Sequence, residues 1–277
     1  MAARTLPEDG SARVGAVALP PGRRMAVFDD EDMPLDPVAW VTDTVLPGAG
    51  LIWSDLADAQ DLTGLVPVLL ADEEADAGYF FQYPSEDVSD VDQLDAAQVL
   101  AARWSGQLPL DDAESWREMG WRVTPFSPEF PGLAPQQKTP LSATRLDQVL
   151  GSLPAARIGL IAASRSADAL PVAGWETFDD FLEYADFPQG AVRPAAWIAA
   201  VLRSWEARFR ARLMGIGPGA QIRLLVRRPP TSPDAATRIA AEHFAFADEC
   251  DGCGSASTVA NIAARLPGAP VWQFWWD

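Results

Sequence analysis

One lysine, one histidine and two cysteines are all that 277 residues hold of the amine, imidazole and thiol side chains that serve as nucleophile, acid-base group or metal ligand near neutral pH. Each scarcity removes a class of function. Lys138 stands in a proline-rich stretch with no Gly-x-x-x-x-Gly before it, which excludes a phosphate-binding P-loop and leaves a Schiff-base role without support. No Gly-x-Ser-x-Gly occurs, so there is no nucleophile elbow. The two cysteines form a single Cys-x-x-Cys, Cys250 and Cys253, and the second pair of a closed zinc site is missing. No apolar run approaches ~18 residues, so no membrane span is expected. Residues 1–13 carry charges of both signs and no apolar core, unlike a secretory signal. The expectation is a cytoplasmic protein.

What is abundant is acid. Basic residues number 21 against 39 acidic ones, a net charge of −18. Nucleic-acid backbones and anionic membranes are repelled by such a chain. The surplus serves solubility, or it forms a surface that binds a basic protein. Hydrophobic residues at 48% and charged residues at 22% are the proportions of a globular protein. The length allows two domains of ordinary size.

Residues 1–13, small and polar without a period, read as a disordered tail. Residues 14–19 read as a strand stopped by Pro20, Pro21 and Gly22, and 38–42, 65–70 and the aromatic 79–83 as further strands. Residues 51–59 read as a short helix with Trp53 and Leu56 on one side. Asp29, Asp30, Glu31 and Asp32 form a solvated acidic loop. Asp72, Glu74 and Asp76 imitate the start of a calcium loop, but the sixth position is Ala77 rather than glycine and the twelfth is Tyr83 rather than glutamate. Residues 93–104 form a helix with Leu94, Ala97, Ala101 and Trp104 inward, and 111–119 a second. Between 125 and 140 five prolines preclude regular structure and mark a linker or strap. The predicted organisation is a tail (1–13), an N-terminal α+β domain (14–124), a proline-rich linker (125–156) and a C-terminal domain (157–277).

The C-terminal part organises the rest. Trp197, Val201, Trp205 and Phe209 recur every four residues and line one helix face, with Leu202 and Leu213 flanking it, while Glu206 stands at pairing distance from Arg203 and Arg210 on the outer face. Gly215, Gly217, Pro218 and Gly219 then form a turn, because they precede a strand instead of opening a helix as a dinucleotide cradle would. Ile222, Leu224 and Val226 alternate with Arg223, Leu225 and Arg227 as a strand. Ser232, Pro233 and Asp234 start a helix through Ile239, His243 and Phe246. Another follows with Val259, Ile262, Ala263 and Leu266, stopped by Pro267 and Gly268. Trp272, Phe274 and Trp276 alternate with Val271, Gln273 and Trp275 in a closing strand. From Ile158 the order is strand, helix, strand, strand, helix, extra helix, strand. That order predicts a helix-covered mixed sheet whose C-terminal half is ferredoxin-like, a split βαβ with one added helix.

Residues 202–209 (Leu-Arg-Ser-Trp-Glu-Ala-Arg-Phe), Glu242-His243-Phe244-Ala245-Phe246 and the terminal Phe274-Trp275-Trp276-Asp277 resemble, in the same order, motifs of the bacterial family called domain of unknown function 4253. The resemblance covers about residues 168–277. Residues 37–70, with Trp40, Trp53 and the Thr63-Gly64-Leu65 turn, look like the region that precedes this domain in longer members. The resemblance implies no established activity. After Phe246 the chain departs from the family pattern by carrying its Cys-x-x-Cys.

Three sets of residues are candidates for a site. Glu242, His243 and Asp277 are the first acid-base suspects, although His243 falls on or beside the apolar stripe of its helix, where a buried, hydrogen-bonded histidine is the simpler role. His243, Cys250 and Cys253 offer three zinc ligands without an evident fourth, and Glu242-His243 reverses the His-x-Glu of zinc deaminases. Trp275 shares a strand face with Gln273, and the expectation drawn from this is a groove that it borders, in which Arg223 or Arg227 meets an anion. Most of the eleven tryptophans sit at core-facing spacings. The reading is a non-catalytic interaction module of the toxin-neutralising or regulatory kind, with no cofactor, against an enzyme built on Glu242, His243, Cys250 and Cys253.

Overall fold

The computed structural model describes residues 5–28, 33–70, 81, 85, 87–107, 126, 129–175, 194–217, 220–247, 249–250 and 258–276. Its first hairpin, β1 (Gly10–Val14) and β2 (Val17–Met25), turns at Gly15, whose φ of 59° suits glycine. Two sequence expectations are corrected here. The tail becomes a strand at Gly10, and β2 continues through Pro20, Pro21 and Gly22 instead of ending there. The register explains the tolerance: Ser11 faces Pro21 and Ala12 faces Leu19, so Pro20 is the extra residue of a bulge and owes the ladder no N–H. Gly22 lies so close to the Val41 carbonyl and the Trp40 ring that a Cβ there would collide with both.

The chain continues through β3 (Ala39–Thr42), α1 (Ala49–Asp58), α2 (Gln60–Thr63), β4 (Val66–Leu70), α3 (Ser89–Asp92), α4 (Ala96–Gln107) and α5 (Ala143–Gly151). The second half contains β5 (Arg157–Ile161), α6 (Ala169–Val172), α7 (Pro194–Phe209), β6 (Ala211–Gly217), β7 (Gln221–Val226), α8 (Pro233–Phe246), β8 (Glu249–Cys250), α9 (Val259–Arg265) and β9 (Val271–Trp275). The strands form one mixed sheet in the order β1-β2-β3-β5-β4-β6-β7-β9-β8, antiparallel throughout except where β4 and β6 run parallel. The fold is α+β.

Strands of the two halves interleave. β5 pairs with β3 on one side and β4 on the other, and β4 in turn pairs with β6. The linker region at 125–156 therefore divides the sequence without dividing the sheet. The ferredoxin-like expectation is corrected as well. In a split βαβ unit the first and second strands run parallel with the third between them. Here β5 and β6 run in opposite directions and the strand between them is β4, supplied from upstream.

Alternating side chains give the sheet two buried faces. One meets α4, α6, α7, α8 and α9 around Trp104, Trp197, Trp205, Phe246, Trp272 and Phe274. The other meets α1 and α5 around Trp40, Trp53, Leu56, Leu150, Ile158 and Leu160. The α7 stripe Trp197, Val201, Trp205, Phe209 is buried as its period predicts. The Ser232 side chain caps α8 by accepting from the Ala235 N–H, and Thr258 caps α9 by accepting from Asn261. Gly215 and Gly217, read as turn residues, lie within β6.

Among the described side chains of α4 the buried ones are Ala96, Val99, Leu100, Arg103 and Trp104, a face rotated from the predicted one. Asp95 starts the helix by accepting from the Ala97 and Gln98 N–H groups. Arg103 turns inward because it donates to the Ala245 carbonyl at 2.9 Å and lies 4.5 Å over the Trp197 ring. Residues 130–141 form a strap without helix or strand, tied down where Ala134 donates to Glu242, Gln137 to the Arg208 carbonyl and Leu141 to the Arg227 carbonyl. The predicted acidic loop at 29–32, the calcium-loop imitation, the helix at 111–119 and all of the strand at 79–83 but Phe81 lie outside the described residues.

Candidate functional site

α8 packs across α4, α7 and the sheet, and this fixes the fate of the acid-base candidates. Glu242 is fully buried. Its Oε1 accepts from the Ala134 N–H at 2.6 Å and Arg208 Nη1 at 2.7 Å, and its Oε2 from Trp205 Nε1 at 2.8 Å and Arg208 Nη2 at 2.6 Å. Arg208 also donates to the Ala134 carbonyl at 2.8 Å and to Ser204 Oγ at 3.1 Å. Four donors on two oxygens, two of them from one guanidinium, fill the acceptor capacity of the carboxylate. The arrangement locks the strap, α7 and α8 together.

His243, next to it, is also fully buried. Its ring centroid lies 5.1 Å from that of Trp205, 4.5 Å from Trp272 and 4.9 Å from Phe274. The imidazole is a member of the aromatic interior. Glu242 and His243 are thus neighbours in sequence that serve different contacts, one bonded to α7 and the strap, the other packed among the rings of Trp205, Trp272 and Phe274. Cys250 has its backbone in β8 opposite Phe274, while Cys253 and Asp277 lie outside the described residues. Among the described residues no three His, Cys, Asp or Glu side chains are placed to hold a metal ion. Sequence reasoning missed Arg208 and its strap. The available signal was Glu242 itself, an acid set among the alanines and aromatics of the second half of α8, where burial demands a cation as partner.

Residues 157–277 match the family described as Domain of unknown function (DUF4253). The chain carries a domain of this family. No curated protein and no solved structure matches. The matched segment begins at β5, earlier than residue 168, and does not include 37–70, yet β4 from that region completes the sheet of the DUF4253 segment by joining β5 to β6.

Within the DUF4253 segment the groove candidates separate into two groups. Arg223 faces Gln273 across the β7–β9 ladder and Trp275 faces Gln221, so Arg223, Gln273 and Trp275 share one face of the sheet. Arg227 stands beyond the end of β7 and pairs with Asp58 of α1 at 3.0 Å. It belongs to a tie between the halves and not to the face that Arg223, Gln273 and Trp275 share.

The outer face of α7 differs from its reading. Glu206 pairs with Arg212 Nε at 3.2 Å and not with Arg203 or Arg210, whereas Arg203 bridges Asp168 at 2.6 Å and Asp92 at 2.5 Å. Burial works against the Arg203 charge, but the two carboxylates outweigh it and hold its pKa above the ordinary value. Burial likewise raises the Glu206 carboxyl above its ordinary 4.5, with Arg212 opposing. A carboxyl with a raised folded-state pKa binds its proton more tightly when folded. Its contribution is therefore fully present below 4.5 and is lost as pH rises through the folded value. Glu206→Gln is expected to raise stability at pH 7 by on the order of half a kcal/mol, with the gain fading as pH falls through the raised folded-state value and gone below 4.5. Thermal melts of both proteins across pH 4 to 8 check this, and a pH-independent difference would contradict it. No described helix is long and apolar enough to cross a membrane.

Proposed function

We propose that this protein is a cytoplasmic, non-catalytic interaction module, of the toxin-neutralising or regulatory kind, which binds a basic protein through an acidic surface. The observation that carries the reading is the enclosure of Glu242 and His243: the residues that sequence reasoning ranks first for acid-base chemistry face the interior. The charge of −18 meanwhile has to lie largely on the outside.

One face fits such a partner best. Along α1 and α2, Leu51, Asp55, Asp58 and Leu62 follow one another at helical spacing and are exposed, with Asp61 beside them. Arg227 offsets only Asp58. A stripe of leucine and aspartate suits a partner segment that presents arginine or lysine together with apolar side chains. The supporting result is capture of one basic protein from lysate that weakens about tenfold or more between roughly 50 and 500 mM salt and again in the Asp55→Asn, Asp61→Asn double variant. Capture indifferent to ionic strength and to these substitutions would contradict the electrostatic reading.

A further inference from the structure

A cleft opens where the passage from α3 into α4 meets α7, on the sheet face opposite to the one that α1 and α5 cover. It offers about 370 Å³ to water-sized molecules, enough for a small ligand. Leu94 and the strap residue Leu133 give it an apolar flank. Four charged side chains also line it, Asp92, Asp95, Arg165 and Arg203.

Two of these four are engaged with each other. Arg203 donates to Asp92 and to the buried Asp168, so the wall on the α7 side is held in place from two directions. The other two are not engaged in this way. Asp95, just ahead of α4, and Arg165, in the connection from β5 to α6, are both exposed, and among the described residues neither forms an ion pair, with the other or with any third group. Arg165 acts on the Glu206 carboxyl through its field alone. Asp95 is fixed by the two N–H groups of α4 that one of its oxygens accepts, which leaves the second oxygen for another donor. One cleft is thus bordered by an anion and a cation that stand too far apart to pair.

We propose that this cleft binds a short zwitterionic peptide, with its ammonium on Asp95, its carboxylate on the Arg165 guanidinium and an aliphatic side chain against Leu94 and Leu133. A dipeptide carries its two charges at opposite ends and so bridges a cation and an anion that do not reach each other. The guanidinium fork matches a carboxylate bidentately. The site is separate from the α1–α2 face and needs no protein partner.

The test is isothermal calorimetry on the full chain with glycyl-L-leucine, in about 0.15 M salt so that the net charge of the chain is screened. Saturable binding is expected. N-acetylglycyl-L-leucine, which lacks the cation, and glycyl-L-leucinamide, which lacks the anion, are each expected to bind about fivefold or more weakly. Arg165→Gln is expected to weaken glycyl-L-leucine by a similar factor while leaving the amide unchanged, and Asp95→Asn to weaken it while leaving the acetylated peptide unchanged. Asn keeps an acceptor at the start of α4, and Arg165 holds no bonded partner among the described residues, so both variants keep the fold. Arg145→Gln, on the exposed surface of α5, is expected to change nothing. No saturable heat with glycyl-L-leucine, equal binding of either blocked peptide, or equal binding by Arg165→Gln or Asp95→Asn would each overturn the proposal.

Discussion

Glu242→Ala is expected to lower the free energy of unfolding by roughly 3–5 kcal/mol, because removing one partner of a buried ion pair strands the other. The Arg208 side chain is only 14% exposed and would keep its charge with no carboxylate beside it. Trp205 Nε1 and the Ala134 N–H would lose their acceptor in the same step. Glu242→Gln retains the shape but turns an NH2 group toward groups that are themselves donors, so it is expected to recover less than half of the loss. Urea unfolding with an unchanged denaturant dependence would measure both. A loss under about 1 kcal/mol for Glu242→Ala would mean that the carboxylate is not structural.

The second large effect belongs to Trp205. Its ring stacks on Phe274 at 5.2 Å and meets Phe246, Trp272 and His243 at 4.6, 5.5 and 5.1 Å. Trp205→Ala should therefore cost roughly 3–5 kcal/mol through lost burial and the cavity left behind. Because its indole N–H is one of the four donors on Glu242, the double variant with Glu242→Ala should fall short of the summed single losses by about 0.5–3 kcal/mol. Strict additivity would separate the aromatic packing from the carboxylate network.

How much of this was legible depends on whether the cause was local. The α7 stripe could be read because four-residue spacing alone selects a face, and the α8 start because Ser232, Pro233 and Asp234 act on the next turn. The breaker rule failed because a bulge, set by the partner strand β1, leaves Pro20 outside the ladder while Pro21 keeps its place opposite Ser11. The ferredoxin-like order failed because strand neighbours are chosen over long separations: nothing in residues 66–70 marks them as the strand between β5 and β6. The buried charges failed for the same reason. Arg103 finds its acceptor 142 residues away and Glu242 its Ala134 donor 108 residues away, so their helices read as ordinary polar positions. The shared face was half legible, since alternation put Gln273 and Trp275 on one side of their strand, but that Arg223 rather than Arg227 stands opposite them needed the register.

The enclosed interior of the DUF4253 segment is tested most directly on its sole histidine. Diethyl pyrocarbonate added to the native full chain, followed by absorbance at 240 nm, reports His243 and no other imidazole. The expected result is no carbethoxylation of the folded protein and full modification once urea has unfolded it. Rapid modification with the fold intact would show that His243 meets solvent, and the account of a sealed aromatic core around it would be wrong.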